Sequence, residues 1–174
     1  MTPDTIAPMD LSKSLPRAAS GIFLAAVLVT GILAAADRDD APRFSARTLD
    51  GERFTNQTLA GHPVLIQFWA TWCPRCRSDQ PAVDAIARDY ADKGLVVLAV
   101  DLGESKRVVK SYLDRSPREC KIVLMEDTNL AAVFGARLVP LYVLIGADGK
   151  VAGTQPGAGG EALLRRFLRR AGLE

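Results

Sequence analysis

At 174 residues the chain has room for one domain and an appendage, and 48% hydrophobic residues supply ample core material. Its 22 basic and 20 acidic residues leave a net charge of +2, and only 6% of residues are aromatic, with no basic stretch interleaved among them. Nucleic-acid and polyanion binding therefore have no support, and three cysteines are too few for a disulfide scaffold.

In chain order, residues 1–17 read as a cytoplasmic N-terminal tail. Lys13 and Arg17 then precede an uncharged run, Ala18 to Ala36, with Ile22, Phe23, Leu24, Val27, Leu28, Val29, Ile32 and Leu33. At about 1.5 Å per residue that run nearly spans a hydrocarbon core of ~30 Å. It is predicted as a single-pass signal-anchor in the cell inner membrane. The basic flank belongs on the cytoplasmic side, which exports everything after Asp37 to the periplasm. A signal peptide is the competing reading, since Ala34-Ala35-Ala36 offers small residues for cleavage. Residues 37–42 read as a polar linker and 43–174 as the folded domain.

Asp50-Gly51 between alternating segments, Phe44 to Thr55, is a hairpin signal. Thr58 to Gly61 leads into an apolar run, Val64 to Ala70, predicted as a buried strand. His62 reads as a solvated loop residue. The strand ends in Thr71-Trp72-Cys73-Pro74-Arg75-Cys76, after which Val83, Ile86, Ala87 and Tyr90 fall on one helical face. Unpaired backbone N–H groups in the first turn present a positive dipole end. A Cys73 thiolate placed there is stabilised, so the thiol should ionise near neutral pH and act as a nucleophile. Pro74 suits the first helical position, where its missing N–H costs nothing. Arg75 adds a cation that should lower the thiol pKa further. Cys76, one turn in, is close enough to form a disulfide with Cys73 and less accessible.

Other readings of the pair are weaker. Zinc usually takes four ligands, and His62 with Cys73, Cys76 and Cys120 would have to supply them all from scattered positions. A purely structural disulfide across two residues restricts the unfolded chain little. Cys120, before the apolar run Ile122 to Met125, reads as an inert thiol at a strand edge; the sharper alternative is a second redox partner or an intermolecular bridge.

Downstream, Gly94 caps the helix, and Leu95 to Val100 reads as a second buried strand, followed by Asp101. Glu104 to Leu113 is predicted helical, with Val108, Val109 and Leu113 facing inward. A short strand at Ile122–Met125 and a helix at Thr128–Phe134, stopped by Gly135, follow. Leu141–Gly146 and Lys150–Gly153 form a hairpin across Asp148-Gly149. The last helix, Gly160 to Ala171, sets Leu163, Leu164, Phe167 and Leu168 against a solvated face of Arg165, Arg166, Arg169 and Arg170.

This order of elements resembles the thioredoxin fold, an α/β architecture with a central mixed sheet flanked by helices. From about Phe44 onward the chain is similar to the membrane-anchored TlpA/ResA-like branch of that superfamily. The phrase Phe68-Trp69-Ala70-Thr71-Trp72-Cys73-x-x-Cys76 carries most of the likeness. Pro81 matches the proline inside the redox helix, and Val139-Pro140 matches the cis-proline that faces the active site. The opening β-hairpin resembles the N-terminal extension of this branch.

The resemblance implies a protein disulfide oxidoreductase needing no metal or organic cofactor, with the reductase direction favoured. Cys73 and Cys76 would be the catalytic pair. Asp79, three positions after Cys76, stands where this branch carries an acidic residue and would accept the Cys76 proton. Thioredoxin's buried Asp on the central strand is here Gln67, which cannot titrate. Trp72, Pro74, Arg75, Val139 and Pro140 would contact client protein, the backbone of Val139 pairing with it as an added strand. Implied clients are apocytochrome c or a copper-delivery protein, and a membrane conduit of the DsbD or CcdA type would re-reduce the pair. Pro74-Arg75 and Val139 also partly resemble oxidant-type relatives, so a dithiol oxidase is the alternative; Leu141 stands where many reductant relatives have Thr, a departure that bears on which client is bound. A Cu(I)-handling protein is another, disfavoured by the lack of Met or His near the cysteines in sequence.

Overall fold

The computed structural model describes residues 38–174. The anticipated tail (1–17) and membrane segment (18–36) lie outside the described residues, among which no helix is long and apolar enough to cross a membrane.

The predicted hairpin is β1 (Ser45–Thr48) and β2 (Arg53–Thr55), turning at Gly51 with φ of +94°, a backbone state that glycine adopts without a Cβ clash. The buried run is β3 (Val64–Trp69), followed by α1 (Pro74–Asp89), β4 (Val96–Asp101) and α2 (Lys106–Leu113). Then come β5 (Lys121–Thr128), α3 (Leu130–Val133), β6 (Leu141–Ile145), β7 (Val151–Pro156) and α4 (Gly160–Leu168). All seven strands join one sheet in the order β2-β1-β5-β4-β3-β6-β7. The β3–β4 and β4–β5 pairs are parallel and the remainder antiparallel, the mixed sheet of a thioredoxin fold.

Alternation on the strands sorts the core. Leu65 and Trp69, Val97 and Ala99, and Tyr142 and Leu144 face α1, α2 and α4. Val64, Ile66 and Phe68 face the other way, against Phe44, Phe54, Leu59 and the Leu130 of α3. Central strands buried on both sides explain their nearly unbroken apolar runs.

Several elements differ from the sequence reading. Residues 38–42 are no free linker: Asp39 accepts a bond from the Val151 N–H, Ala41 donates to Gly149, and Asp40 bridges Lys150. The Arg38 guanidinium also pairs with Asp148 at 2.7 Å, so the segment lies along the sheet edge beyond β7. The fifth strand runs twice as long as expected because β1, distant in sequence, pairs with its end at Thr128; the following helix shrinks to four residues. Val108, expected inward, is exposed, while Val109 alone is buried from that helix. Nor is the arginine face of α4 wholly solvated. Arg165 pairs with Asp89 of α1 as well as Glu161, and lies over the Tyr90 ring, pinning the two helices together.

Candidate active site

The end of β3 aims the chain into a tight turn at Ala70–Trp72, and Cys73 becomes the N-cap of α1 with extended backbone (φ −82°, ψ 108°). Its Sγ accepts the Cys76 N–H at 3.1 Å, doing for this helix what a Ser or Asp oxygen usually does. Pro74 occupies N1, as expected. The first turn holds no acidic residue and instead carries Arg75 and Arg77, so no side-chain carboxylate in that turn competes with the sulfur for the positive helix end. Cys73 and Cys76 are joined in a disulfide with Cα atoms 5.2 Å apart. In this oxidised form both are nearly sealed, at 4% and 2% exposure, rather than one open and one closed.

Around them the surface is apolar. Trp72 is 64% exposed and, with Leu138, Met125 and Leu102, lines a groove of about 680 Å³. A second groove, of about 470 Å³, is lined by Arg75, Arg137, Val139, Pro140, Leu141 and Pro156. The Val139–Pro140 peptide is cis, and among the described residues Val139 enters no backbone hydrogen bond outside the strands. The structure thus brings Trp72, Arg75, Val139 and Pro140 to the rim of two adjoining grooves. Met125, far from the cysteines in sequence, lines the same groove as Trp72.

Asp79 is buried at 3% exposure, not a surface residue. Its Oδ2 accepts the Tyr142 hydroxyl at 2.8 Å and the Gly159 N–H at 3.0 Å, and its Oδ1 accepts the Gly160 N–H at 3.0 Å. The carboxyl thereby ties the redox helix to β6 and to the start of α4. Tyr142 sits opposite Gln67 in register, and its oxygen accepts the Gln67 amide at 3.2 Å. Burial and the neighbouring Asp79 charge push the tyrosine hydroxyl well above its usual range, so its proton stays on oxygen.

Arg118, Glu104 and Asp101 also belong to this region. The Arg118 side chain is buried and reaches Gln67 and Asp84, with its guanidinium over the Trp69 ring. Glu104 holds Thr71, two residues before Cys73, while its own N–H is accepted by Asp101 at 2.8 Å. Asp101 is fully buried, and among the described residues its other oxygen has no donor. Burial first, then the Glu104 carboxylate, raise its pKa to about 7. Arg118 carried no motif signal. The Asp101 to Glu104 spacing was visible, but only the sheet register sets it beside the Trp69 strand end.

Cys120 is a buried free thiol whose pKa burial pushes up to about 11, so it is uncharged at neutral pH. His62 is exposed, bonded through Nδ1 to the Gly94 carbonyl oxygen. Among the described residues no cluster of three or more His, Cys, Asp or Glu could hold a metal ion.

A disulfide pair at a helix N-terminus, with a cis-proline leading into a strand of the same mixed sheet, defines a thioredoxin-fold redox protein. The Redoxin family model matches residues 36–163, and the chain belongs to that family. It is 27% identical over 130 residues to the thiol-disulfide oxidoreductase ResA of Halalkalibacterium halodurans, covering 75% of this chain and 74% of that one. ResA of Bacillus subtilis is likewise 27% identical, over 74% of this chain and 72% of its own length. Among solved structures, a thiol:disulfide interchange protein of the thioredoxin family from Chlorobium tepidum superposes with a TM-score of 0.70 at 28% identity, over 79% of this chain and 99% of that one. The chain is a ResA/TlpA-like thiol–disulfide oxidoreductase.

Proposed function

We propose that the protein reduces disulfides of client proteins in the periplasm, held at the inner membrane by residues 18–36. The observation that carries the redox reading is the Cys73–Cys76 disulfide capping α1, with Cys73 Sγ accepting a backbone N–H in a first turn free of acidic residues. In the reduced protein the Cys73 thiolate attacks one sulfur of a client disulfide; the other client sulfur leaves and takes up a proton. Cys76 then loses its proton, with Asp79 as the acceptor, and its thiolate attacks Cys73. The client leaves as a dithiol and the enzyme keeps the disulfide, two electrons having moved to the client.

The apolar grooves beside Trp72 and Val139 suit an extended client segment, with the free Val139 backbone pairing to it. Resemblance to ResA-type relatives supports apocytochrome c or a copper-delivery protein as client, and a DsbD- or CcdA-type membrane donor of electrons. Arg75 and Arg77 in the first turn favour a second reading, a dithiol oxidase, because a strongly stabilised thiolate makes its disulfide oxidising.

The reduction potential of the purified protein decides between them. A value near about −270 mV supports the reductase, and one near about −120 mV the oxidase. Membrane retention after osmotic shock tests the anchor.

A further inference from the structure

We propose that Arg118 is a positioning residue for the redox pair, acting through a one-way hydrogen-bond chain from Arg118 to Gln67 to Tyr142 to Asp79. The proposal rests on the reading of Asp79 as acceptor for the Cys76 proton.

The guanidinium is 1% exposed, a costly place for a cation unless every donor is used. Its Nε lies 2.9 and 3.2 Å from the two Asp84 oxygens, a terminal nitrogen lies 3.0 Å from Gln67 Oε1, and the Trp69 ring covers one face. Arginine has no acceptor, so the glutamine atom facing it must be oxygen. The Gln67 NH₂ therefore faces Tyr142, whose oxygen must accept. The single tyrosine hydrogen is then left for Asp79, where two backbone N–H groups of the α4 start also point. Each link has one permitted direction, set at the arginine end.

When Asp79 takes a proton from Cys76, the chain resists. If Tyr142 received a hydrogen from Asp79, its own hydrogen would have only Gln67 left to turn to among these groups. Gln67 would then turn its NH₂ toward a buried guanidinium, donor against donor. Arg118 blocks that reversal, so Asp79 passes the proton on, to the client sulfur that departs from Cys73, rather than keeping it. Without Arg118, Gln67 can flip and a protonated Asp79 gains a partner.

The test uses the reduced full-length chain. Its Cys73 alkylation by iodoacetamide is followed by mass across a pH series, in the parent and in four variants. Asp79→Asn should remove one inflection from the profile. Tyr142→Phe, which deletes one Asp79 donor, and Arg118→Met should each move that same inflection upward by about half a pH unit or more. Gln67→Met cuts the chain while leaving the Arg118–Asp84 pair, and should act alike even where Arg118→Met fails to fold. If Asp79→Asn removes no inflection, both the Asp79 reading and the chain are overturned. If it does, and Gln67→Met and folded Arg118→Met leave the inflection in place, only the Arg118 proposal falls.

Discussion

Glu104 holds Thr71 with both carboxylate oxygens, one accepting the backbone N–H at 2.5 Å and the other the hydroxyl at 2.6 Å. The turn that delivers Cys73 is thereby fastened to the connection after β4 as well as to its own strand. Hydrogen bonds to a charged group are worth about 1.5–3 kcal/mol when lost. Glu104→Ala should therefore destabilise the oxidised protein by about that much in urea unfolding. Glu104→Gln, which keeps an acceptor for the N–H, should retain at least half. A Glu104→Ala loss well below about 1 kcal/mol would show that the grip contributes little.

Asp101 makes stability depend on pH in an unusual sense. Unfolded, its carboxyl ionises near the ordinary 3.8, whereas in the fold it holds its proton to about 7. A raised carboxyl pKa means the folded state binds more protons between those values. Its contribution is therefore most favourable below about pH 4, declines as pH rises to 7, and is level above. The decline is on the order of 2–4 kcal/mol. Asp101→Asn should flatten that slope and raise the melting temperature at pH 8 relative to the parent. A parent melting curve that is unchanged from pH 5 to pH 8 would contradict the assignment.

Cys120 should be silent in the native protein. With its pKa pushed up to about 11 and its side chain buried, little thiolate exists at pH 8. Reduced protein treated with iodoacetamide at pH 8 should leave Cys120 unmodified until denaturant is added. Its rapid labelling in the folded state would mean that the β5 edge opens readily.

Leu138 is 80% exposed between the two grooves, an apolar side chain with little to cover it. As a client contact it should affect binding rather than redox chemistry. Leu138→Ser is expected to raise KM for reduction of a disulfide-bonded peptide several-fold and leave the reduction potential unchanged. A displaced potential with unchanged KM would place Leu138 in the redox machinery instead.

Much of the fold was legible because its signals are local. The Asp50-Gly51 turn, the apolar β3 and β4 runs, the Cys-Pro-Arg-Cys turn and the apolar stripe of α4 all declare themselves within a dozen residues. The misread segments owe their structure to distant partners. Residues 38–42 have no periodicity, yet the free edge of β7 supplies bonds for their backbone. Thr128 carries no strand signal beyond its neighbours, but β1 pairs with it from 82 positions earlier in sequence.

The site divides along the same line. Cys73, Pro74 and Cys76 owe their placement to consecutive residues, since an N-cap and its first turn are built from neighbours in sequence. That much of the chemistry was therefore readable from the chain alone. The company kept by Asp79 was not. Tyr142, Gln67 and the start of α4 reach it only because β3 and β6 pair in one register and α4 packs back on α1. Hydrogen bonds between side chains need approach to within about 3 Å. Only the packed sheet and helices bring such distant residues that close, which is why tertiary structure decided how the redox helix is supported.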